Sequence, residues 1–435
     1  MNKTKDTIFA VATPPGKAAI SVIRISGSQA FKAIKDISKS IPTEPNKTSL
    51  NKLVDINGKT IDQTLTTFFK GPKSYTGEDM IELSIHGGKA VLNKLLKTLN
   101  ENKKIRYAEA GEFTRRAFEN NKLDISQVEA VADLVNAETE QQRKQALNQL
   151  EGNDSLKIKK IHKQLETLLA NVEATIDFSD EDLPKNLNKK IKEQIENIIK
   201  NINRIFFENE KSKKIREGYI VAIIGKTNTG KSSFINNISN KEVSIVTNQP
   251  GTTRDTLESY VDIGGYPIKF YDSAGIRRSR NNIEKIGINK TLKLSENSDI
   301  NLVFIDKITE INKYQKIHNK IFVQSKFDIR KKPLKNKKIN NISSKNSFGI
   351  KNLLNKIVKN IEKLNTNFNN SISRERHMSL LIKSKIHLNT AKKAKSYDII
   401  AEEVRLSLGE ISKIYGKTDI EHILGIIFNN FCIGK

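Results

Sequence analysis

The chain lacks tryptophan and carries one cysteine among 435 residues, so an internal disulfide is excluded; this fits a reducing cytoplasm. Long apolar runs are missing as well. YIVAIIG at 219–225 falls far below the roughly 20 residues that span a bilayer, and MNKTKDTIF has no signal-type apolar core. A cytoplasmic protein with no membrane segment is therefore expected. Only 37% of residues are hydrophobic, yet they recur with clear periodicity, as in a globular rather than a disordered chain. Acidic residues are outnumbered, leaving a formal net charge of +26. That excess suits a polyphosphate partner such as RNA. It is equally explained by a chain-wide enrichment in Lys, Asn and Ile, as in KNKKINNISSKN, that follows A/T-rich codons.

A length of 435 residues implies two or three domains. Up to about residue 122 short β-like runs (DTIFAVAT, AAISVIRISG, TLTTFF, MIELSIHGG) precede an amphipathic helix in AVLNKLLKTLN, an α+β pattern. Over 123–214 the period becomes 3.6, with Ile125, Val128, Val131, Leu134 and Val135 on one face and Asp124 or Ser126 as the helix cap. Over 215–370 strands and helices alternate as in a doubly wound sheet, and 371–435 return to helix. An α/β unit flanked by helical segments reads as an insertion into one discontinuous helical domain.

GKTNTGKS (225–232) satisfies G-x-x-x-x-G-K-[ST] between a strand and a helix. Its glycines let backbone N–H groups face phosphate oxygens at a helix N-terminus. In this cradle, which takes in Asn228, Thr229, Gly230 and Ser233, Lys231 reaches the β and γ phosphates and Ser232 the Mg²⁺. GTTRD (251–255) offers Thr253 for the Mg²⁺ shell, and DSAG (272–275) places Asp272 near the metal, with Ser273, Ala274 and the Gly275 N–H toward the γ-phosphate. QSKFD (324–328) follows a strand and puts Asp328 where a carboxylate accepts from the N1–H and amine of guanine. Ser325 stands where GTPases usually have Asn. Lys326 and Phe327 complete that element, and Ser343, Ser344 and Lys345 supply a second wall. Guanine preference with weakened affinity is expected. Ile276 occupies the place of the glutamine that orients water in Ras-type enzymes, so charge neutralisation must come from a partner's arginine or from a monovalent cation. Asn228 with the stretch Thr247, Asn248, Gln249, Pro250, Gly251, Thr252 and Thr253 offers oxygens for such a cation; alternatively Asn228 only caps a turn.

These motifs, with DTIFAVATPPGKAAISVIRISG, GPKSYTGEDMIELSIHGG, AEAGEFTRRAFENNKLDISQVEAVADLVNAET and the terminal FCIGK, resemble the tRNA-modification GTPase family MnmE, also called TrmE, over nearly the whole chain. The resemblance implies an α+β N-terminal folate-binding and dimerisation domain, a discontinuous all-α helical domain and an inserted α/β Ras-like P-loop G domain. It implies 5-formyltetrahydrofolate, or a related folate, at Arg24, Glu82, Lys122 and the terminal Lys435. Without it, Arg24 and Glu82 read as a strand-edge ion pair and Lys122 as a solvated helix end. It further implies a K⁺ site of Asn228, Thr247, Gln249 and Thr252, and a catalytic role for Glu284, which otherwise reads as an exposed helix residue. Cys432 would lie near the one-carbon donor, reactive or simply buried. The family acts as a homodimer whose G domains meet. With the FAD-dependent partner MnmG (GidA), in a heterotetramer where FAD belongs to the partner, it adds a carboxymethylaminomethyl-type group at C5 of the wobble uridine of certain tRNAs. A ribosome-assembly GTPase of the Era or Der type would share the phosphate loop but lack FCIGK. A non-hydrolysing RNA- or folate-binding scaffold with a decayed G domain is the other alternative.

Overall fold

The computed structural model describes residues 6–38, 40, 42, 44–177, 187–239, 258–272, 294–330, 334, 336–364, 373–414, 424 and 434. It divides into two compact units, one of residues 1–132, 155–166 and 405–435 and one of residues 133–154 and 167–404.

The first unit is built on a six-stranded sheet ordered β3-β4-β5-β2-β1-β6, from β1 (Thr7–Val11), β2 (Ile20–Ser26), β3 (Thr48–Val54), β4 (Thr60–Phe69), β5 (Met80–His86) and β6 (Ile105–Tyr107). Only β1 and β6 pair in parallel. Alternation along β2 and β5 turns Ile23, Ile25, Ile81, Leu83 and Ile85 into one core, covered by α1 (Ala30–Lys35) and by Leu95 and Leu99 of α2 (Lys89–Asn100). The opposite side of β1 presents Ile8 and Ala10 to Phe113 of α3 (Glu112–Glu119). The strand β3 and the helix α1 do not stand out in the sequence: β3 has few apolar residues in TSLNKLV, and the six residues of α1 are too few to show a helical period.

α4 (Ile125–Val135) begins with a reciprocal cap. The Gln127 N–H donates to Asp124 Oδ1 at 3.0 Å and the Asp124 N–H to Gln127 Oε1 at 2.9 Å, which makes Asp124 rather than Ser126 the cap. Near the other end of the chain Leu424 joins Ile125 and Val128 in a small core. Gly434 lies against β1: at φ +109 its backbone favours glycine, and a Cβ there would stand 2.2 Å from the Val11 carbonyl oxygen.

The second unit holds the helices α5 (Glu140–Leu150) and α7 (Leu187–Glu217), part of α6 (Asn153–Asp177), and the alternating segment. α7 buries Ile191, Ile195, Ile198, Ile202 and Ile205 at spacings of three and four, the stripe of a packed helix. α10 (Glu375–Lys393), from the far side of the alternating segment, meets it through Lys392–Glu196 and Lys213–Glu375 ion pairs at 2.7 and 2.9 Å. Within this unit, helices before and after the inserted segment thus pack on each other. The helix α11 (Tyr397–Ile414) follows.

The inserted segment is a sheet ordered β12-β11-β10-β7-β9-β8, made of β7 (Tyr219–Gly225), β8 (Glu258–Ile263), β9 (Tyr266–Asp272), β10 (Ile300–Phe304), β11 (Lys320–Gln324) and β12 (Ile339–Asn341). All neighbours are parallel except β8 and β9. Strands buried on both faces read as the apolar run YIVAIIG and as INLVF, broken only by Asn301. One face is covered by α8 (Lys231–Ser239) and α9 (Ile350–Leu364), whose Phe234, Ile235, Leu353, Ile357 and Ile361 pack on Val221, Ile223, Phe270 and Leu302.

Ile357 is fully buried on that face. Replacing it with Ala is expected to cost about 2–5 kcal/mol through lost transfer energy and the cavity left behind. Urea unfolding of the full chain, followed by a probe in the inserted segment, checks this.

Candidate functional site

Parallel strands deliver their carboxyl ends to one edge of a sheet, and the loops there are where α/β folds hold ligands. After β7 the chain turns through Lys226–Gly230 into α8, passing Asn228 at φ +61, a conformation asparagine tolerates. The Thr229 hydroxyl donates to the Lys226 carbonyl at 2.8 Å and tightens the turn. Gly230 allows close approach: a Cβ there would stand 2.4 Å from Ser325 Oγ, so any side chain would fill the cradle. Lys231 is buried at the helix start, its ammonium donating to the carbonyls of Gly225 at 3.1 Å and Lys226 at 2.6 Å. The Ser232 hydroxyl donates to Asp272 Oδ2 at 3.2 Å, Asp272 being the last residue of β9. A hydroxyl beside a carboxylate fits Mg²⁺, which takes one or two protein oxygens and completes its shell from phosphate and water. Among the described residues no group of three or more His, Cys, Asp or Glu could hold a metal by itself.

The segment after β11 comes to the same loop. Ser325 is buried, and its hydroxyl donates to the Thr229 carbonyl. Lys326, at φ +60, donates its ammonium to the Asn228 carbonyl at 2.7 Å. The Phe327 ring stacks on Phe348, centroids 4.7 Å apart. Asp328 accepts from the Ser343 hydroxyl at 2.7 Å, a bond that holds its carboxyl below the usual carboxylate range, with Lys345 adding to the effect. An ionised carboxylate is an acceptor only, as reading a guanine edge demands. The Ser344 carbonyl accepts from the Asn237 amide at 2.7 Å. The motifs GKTNTGKS, QSKFD and ISSKN, far apart in the chain, therefore form one cluster.

Thr247, Asn248, Gln249, Pro250, Gly251, Thr252, Thr253, Ser273, Ala274, Gly275, Ile276 and Glu284 lie outside the described residues, as do Cys432 and Lys435.

In the first unit Arg24 and Glu82 are register partners on β2 and β5. Nε–H of Arg24 donates to Glu82 Oε1 at 2.9 Å. Both strands are interior to the sheet, so this is no strand-edge pair. The Arg24 guanidinium lies 5.3 Å from the centroid of Tyr75 and 5.7 Å from that of Phe113. Lys122 donates to the Pro72 carbonyl at 3.0 Å, so the loop over residues 70–79 touches both positions read from the sequence. That loop is held by ions which motif reading missed. Arg116, 5% exposed, donates to Glu78 at 3.1 Å, Glu112 at 2.9 Å and Asp6 at 3.0 Å. Arg106 pairs with Glu112 at 2.7 Å and Asp6 at 2.6 Å. The Ser26 hydroxyl also donates to Glu78 at 2.8 Å. The only sequence signal was the density of charge in GEFTRRAFE, which a solvated helix face shares.

A family model described as the GTP-binding protein TrmE N-terminus matches residues 7–122, and one described as the MnmE helical domain matches residues 125–432. The chain is similar to the tRNA modification GTPase MnmE of Pelagibacter ubique (strain HTCC1062), 41% identical over 453 residues that cover 99% of this chain and 100% of that protein. It is similar to the proteins of the same name from Aquifex aeolicus (strain VF5), 37% identical over 451 residues, and Dinoroseobacter shibae (strain DSM 16493 / NCIMB 14021 / DFL 12), 36% identical over 434 residues. Each again covers 99% of this chain and 100% of the relative.

Burial pushes the Glu112 carboxyl up, but hydrogen bonds from Arg106, the Glu109 N–H and Arg116 more than offset it and leave the group below its usual range. An acid depressed on folding contributes stability above its unfolded pKa, about 4.3, and loses it as pH falls through the lower folded value. Wild-type protein is therefore expected to lose unfolding midpoint steeply below about pH 4. Glu112→Gln should lower stability at pH 7 by roughly 1–3 kcal/mol and flatten that acid-side fall. Thermal unfolding of both proteins from pH 7 to pH 3 checks it.

Proposed function

The chain belongs to the family of tRNA modification GTPases named MnmE or TrmE, and from that premise we propose that its GTP hydrolysis drives a modification at C5 of the wobble uridine of certain tRNAs. The observation that carries the nucleotide half is the junction of two loops: Ser325 and Lys326 bonded to the backbone of Thr229 and Asn228, with an ionised Asp328 beyond them. On this reading Asn228, Thr229, Gly230, Ser232 and Ser233 line the phosphate site, and Asp328 with Ser343, Ser344 and Lys345 takes the base. The Lys231 ammonium, here on the carbonyls of Gly225 and Lys226, would turn to phosphate oxygens, and Ser232 and Thr253 would hold Mg²⁺ with Asp272 beside it, the ion supplying charge neutralisation. Ser325 still ties this segment to the phosphate loop through its hydroxyl, which argues against a decayed G domain.

Isoleucine at 276 cannot orient water. In its place we assign K⁺ to Asn228, Thr247, Gln249 and Thr252, with the neighbouring Asn248, Pro250 and Gly251 completing that loop. Glu284 orients the attacking water, and Ser273, Ala274 and Gly275 face the γ-phosphate.

For the folate we propose the outer face of the N-terminal sheet, with the Arg24–Glu82 pair, Lys122 and Lys435. The position of Gly434 against Val11 supports this, since β1 residue Ala10 is the register partner of Arg24. A bound folate would supply the one-carbon unit; the Arg24–Glu82 pair and Lys122 would hold it by charge and hydrogen bonds, with Cys432 nearby. The exposed register partners Leu50 and Leu65 stand on the same sheet face, which supports a homodimer closing there. The proposed remainder is MnmG as the FAD-carrying partner, tRNA as substrate, and the cytoplasm as location. No described helix is long and apolar enough to cross a membrane. The domain limits proposed are 1–122, 123–214, 215–370 and 371–435.

Phosphate release by the purified protein is expected to be at least about tenfold faster in KCl than in NaCl, the loss of a neutralising charge being worth that much or more; equal rates would remove the K⁺ site. In cells lacking the protein, nucleoside analysis of tRNA should show the wobble uridine unmodified, and an unchanged profile would sink the reading. Deleting the last four residues should abolish modification in cells while leaving GTP binding intact. Loss of both would make the chain end merely structural.

A further inference from the structure

Beyond the phosphate loop and the base-reading segment runs a path of charged groups that returns to where it starts. Lys226, second residue of the phosphate loop, pairs with Glu310 on the 3-10 turn Ile308–Tyr314. Glu310 is buried and takes the Asp306 backbone N–H at 3.0 Å. Burial pushes its carboxyl up, but Lys226 and the backbone N–H more than offset this, so the group stays ionised. The Asp306 carboxylate in turn pairs with the Arg330 guanidinium. Nε–H of Arg330 donates to the Ser325 carbonyl at 2.7 Å. The Ser325 hydroxyl reaches Thr229, and Thr229 reaches back to Lys226.

Serine has one proton to donate, and it is spent on Thr229; an asparagine amide would offer two N–H donors and an acceptor at the same place. Through Ser325 itself the segment is thus held at one point, immediately before Lys326, whose left-handed backbone needs its surroundings to hold it; the Lys326 ammonium on Asn228 and the Ser343 hydroxyl on Asp328 tie it further along. Arg330 adds a constraint from the backbone side, on the Ser325 carbonyl. Its planar fork fits the task, one edge on a carboxylate and Nε–H on a carbonyl.

We infer that Arg330, braced by Asp306, is a specificity-determining positioning residue for guanine: it fixes the Ser325 carbonyl and so aims Asp328 at the base, doing from outside the pocket what serine cannot do from within. The inference rests on reading Asp328 as the guanine acceptor. The partners of Arg330 are Asp306 and the Ser325 carbonyl, so it acts through Ser325 and Lys326. The pair Lys226–Glu310 carries the same constraint to the phosphate loop, so both loops share one frame.

Titration calorimetry of the full chain with GDP and with ADP, in KCl and MgCl₂, separates positioning from stability. Arg330→Ala should weaken GDP binding about tenfold, or ~1.4 kcal/mol, and leave ADP binding unchanged, so the preference for GDP falls by the same factor. Arg330→Lys keeps the charge beside Asp306 and one donor, and should regain part of the preference. The inference is overturned if Arg330→Ala keeps the wild-type preference, or if GDP and ADP weaken in equal proportion, the mark of a loosened domain. Should Arg330→Ala not fold, Asp306→Asn, which keeps an acceptor but not the charge, is read by the same ratio: a lowered GDP preference supports the inference and an unchanged one overturns it. Wild-type protein without preference for GDP over ADP would defeat the reading of Asp328 and the inference with it; a preference indifferent to Arg330 defeats the inference alone.

Discussion

The parallel pairing of β7 with β9 and β10 is the constraint on which the nucleotide site depends. Val221 lies level with Phe270 on one side and Ile300 on the other, and from that register all three strands run out at the same edge. The positions of the Lys226–Gly230 loop, of the Asp272 carboxylate and of Asp306 are consequences of where those strands stop. Because the sheet is covered by Phe234, Leu353 and Ile357 on one face and closed by Ile317 and Tyr314 on the other, the register cannot slip without exposing a core. Polar loops can then be short and still meet.

The two units solve the problem of buried polar groups differently. Around Gly225 to Gly230 the acceptors are backbone carbonyls, satisfied by Thr229, Lys231, Ser325 and Lys326, and an arriving phosphate would compete for the same donors. In the N-terminal unit Arg106 and Arg116 are set against Asp6, Glu78 and Glu112, so each ion is paired within the protein. The first arrangement suits exchange of partners. The second suits a rigid support for the loop that carries Pro72 and Tyr75.

Much of this was legible in the order of residues. YIVAIIG, KIFVQ and YPIKFYD carry the apolar density of covered strands, and each ends where a motif begins, so strand, loop and helix follow from local chemistry. Asp124 was readable as a cap for the same reason: its partner Gln127 is three residues away. Less legible were β3 and α1, whose burial depends on neighbours rather than on periodicity, and the setting of Arg24, where the rings of Tyr75 and Phe113 lie about 50 and 90 positions along the chain.

The amino-acid order by itself determined the three kinds of domain and the strand-to-helix setting of GKTNTGKS, because each rests on periodicity or on spacings of a few residues. Tertiary structure alone decided that Ser325 spends its hydroxyl on Thr229, 96 residues away, that Arg330 braces its carbonyl, and that Gly434 closes on Val11. Contacts of that kind join groups with no periodic relation along the chain. They exist only once burial has fixed the strands and brought donor and acceptor within reach.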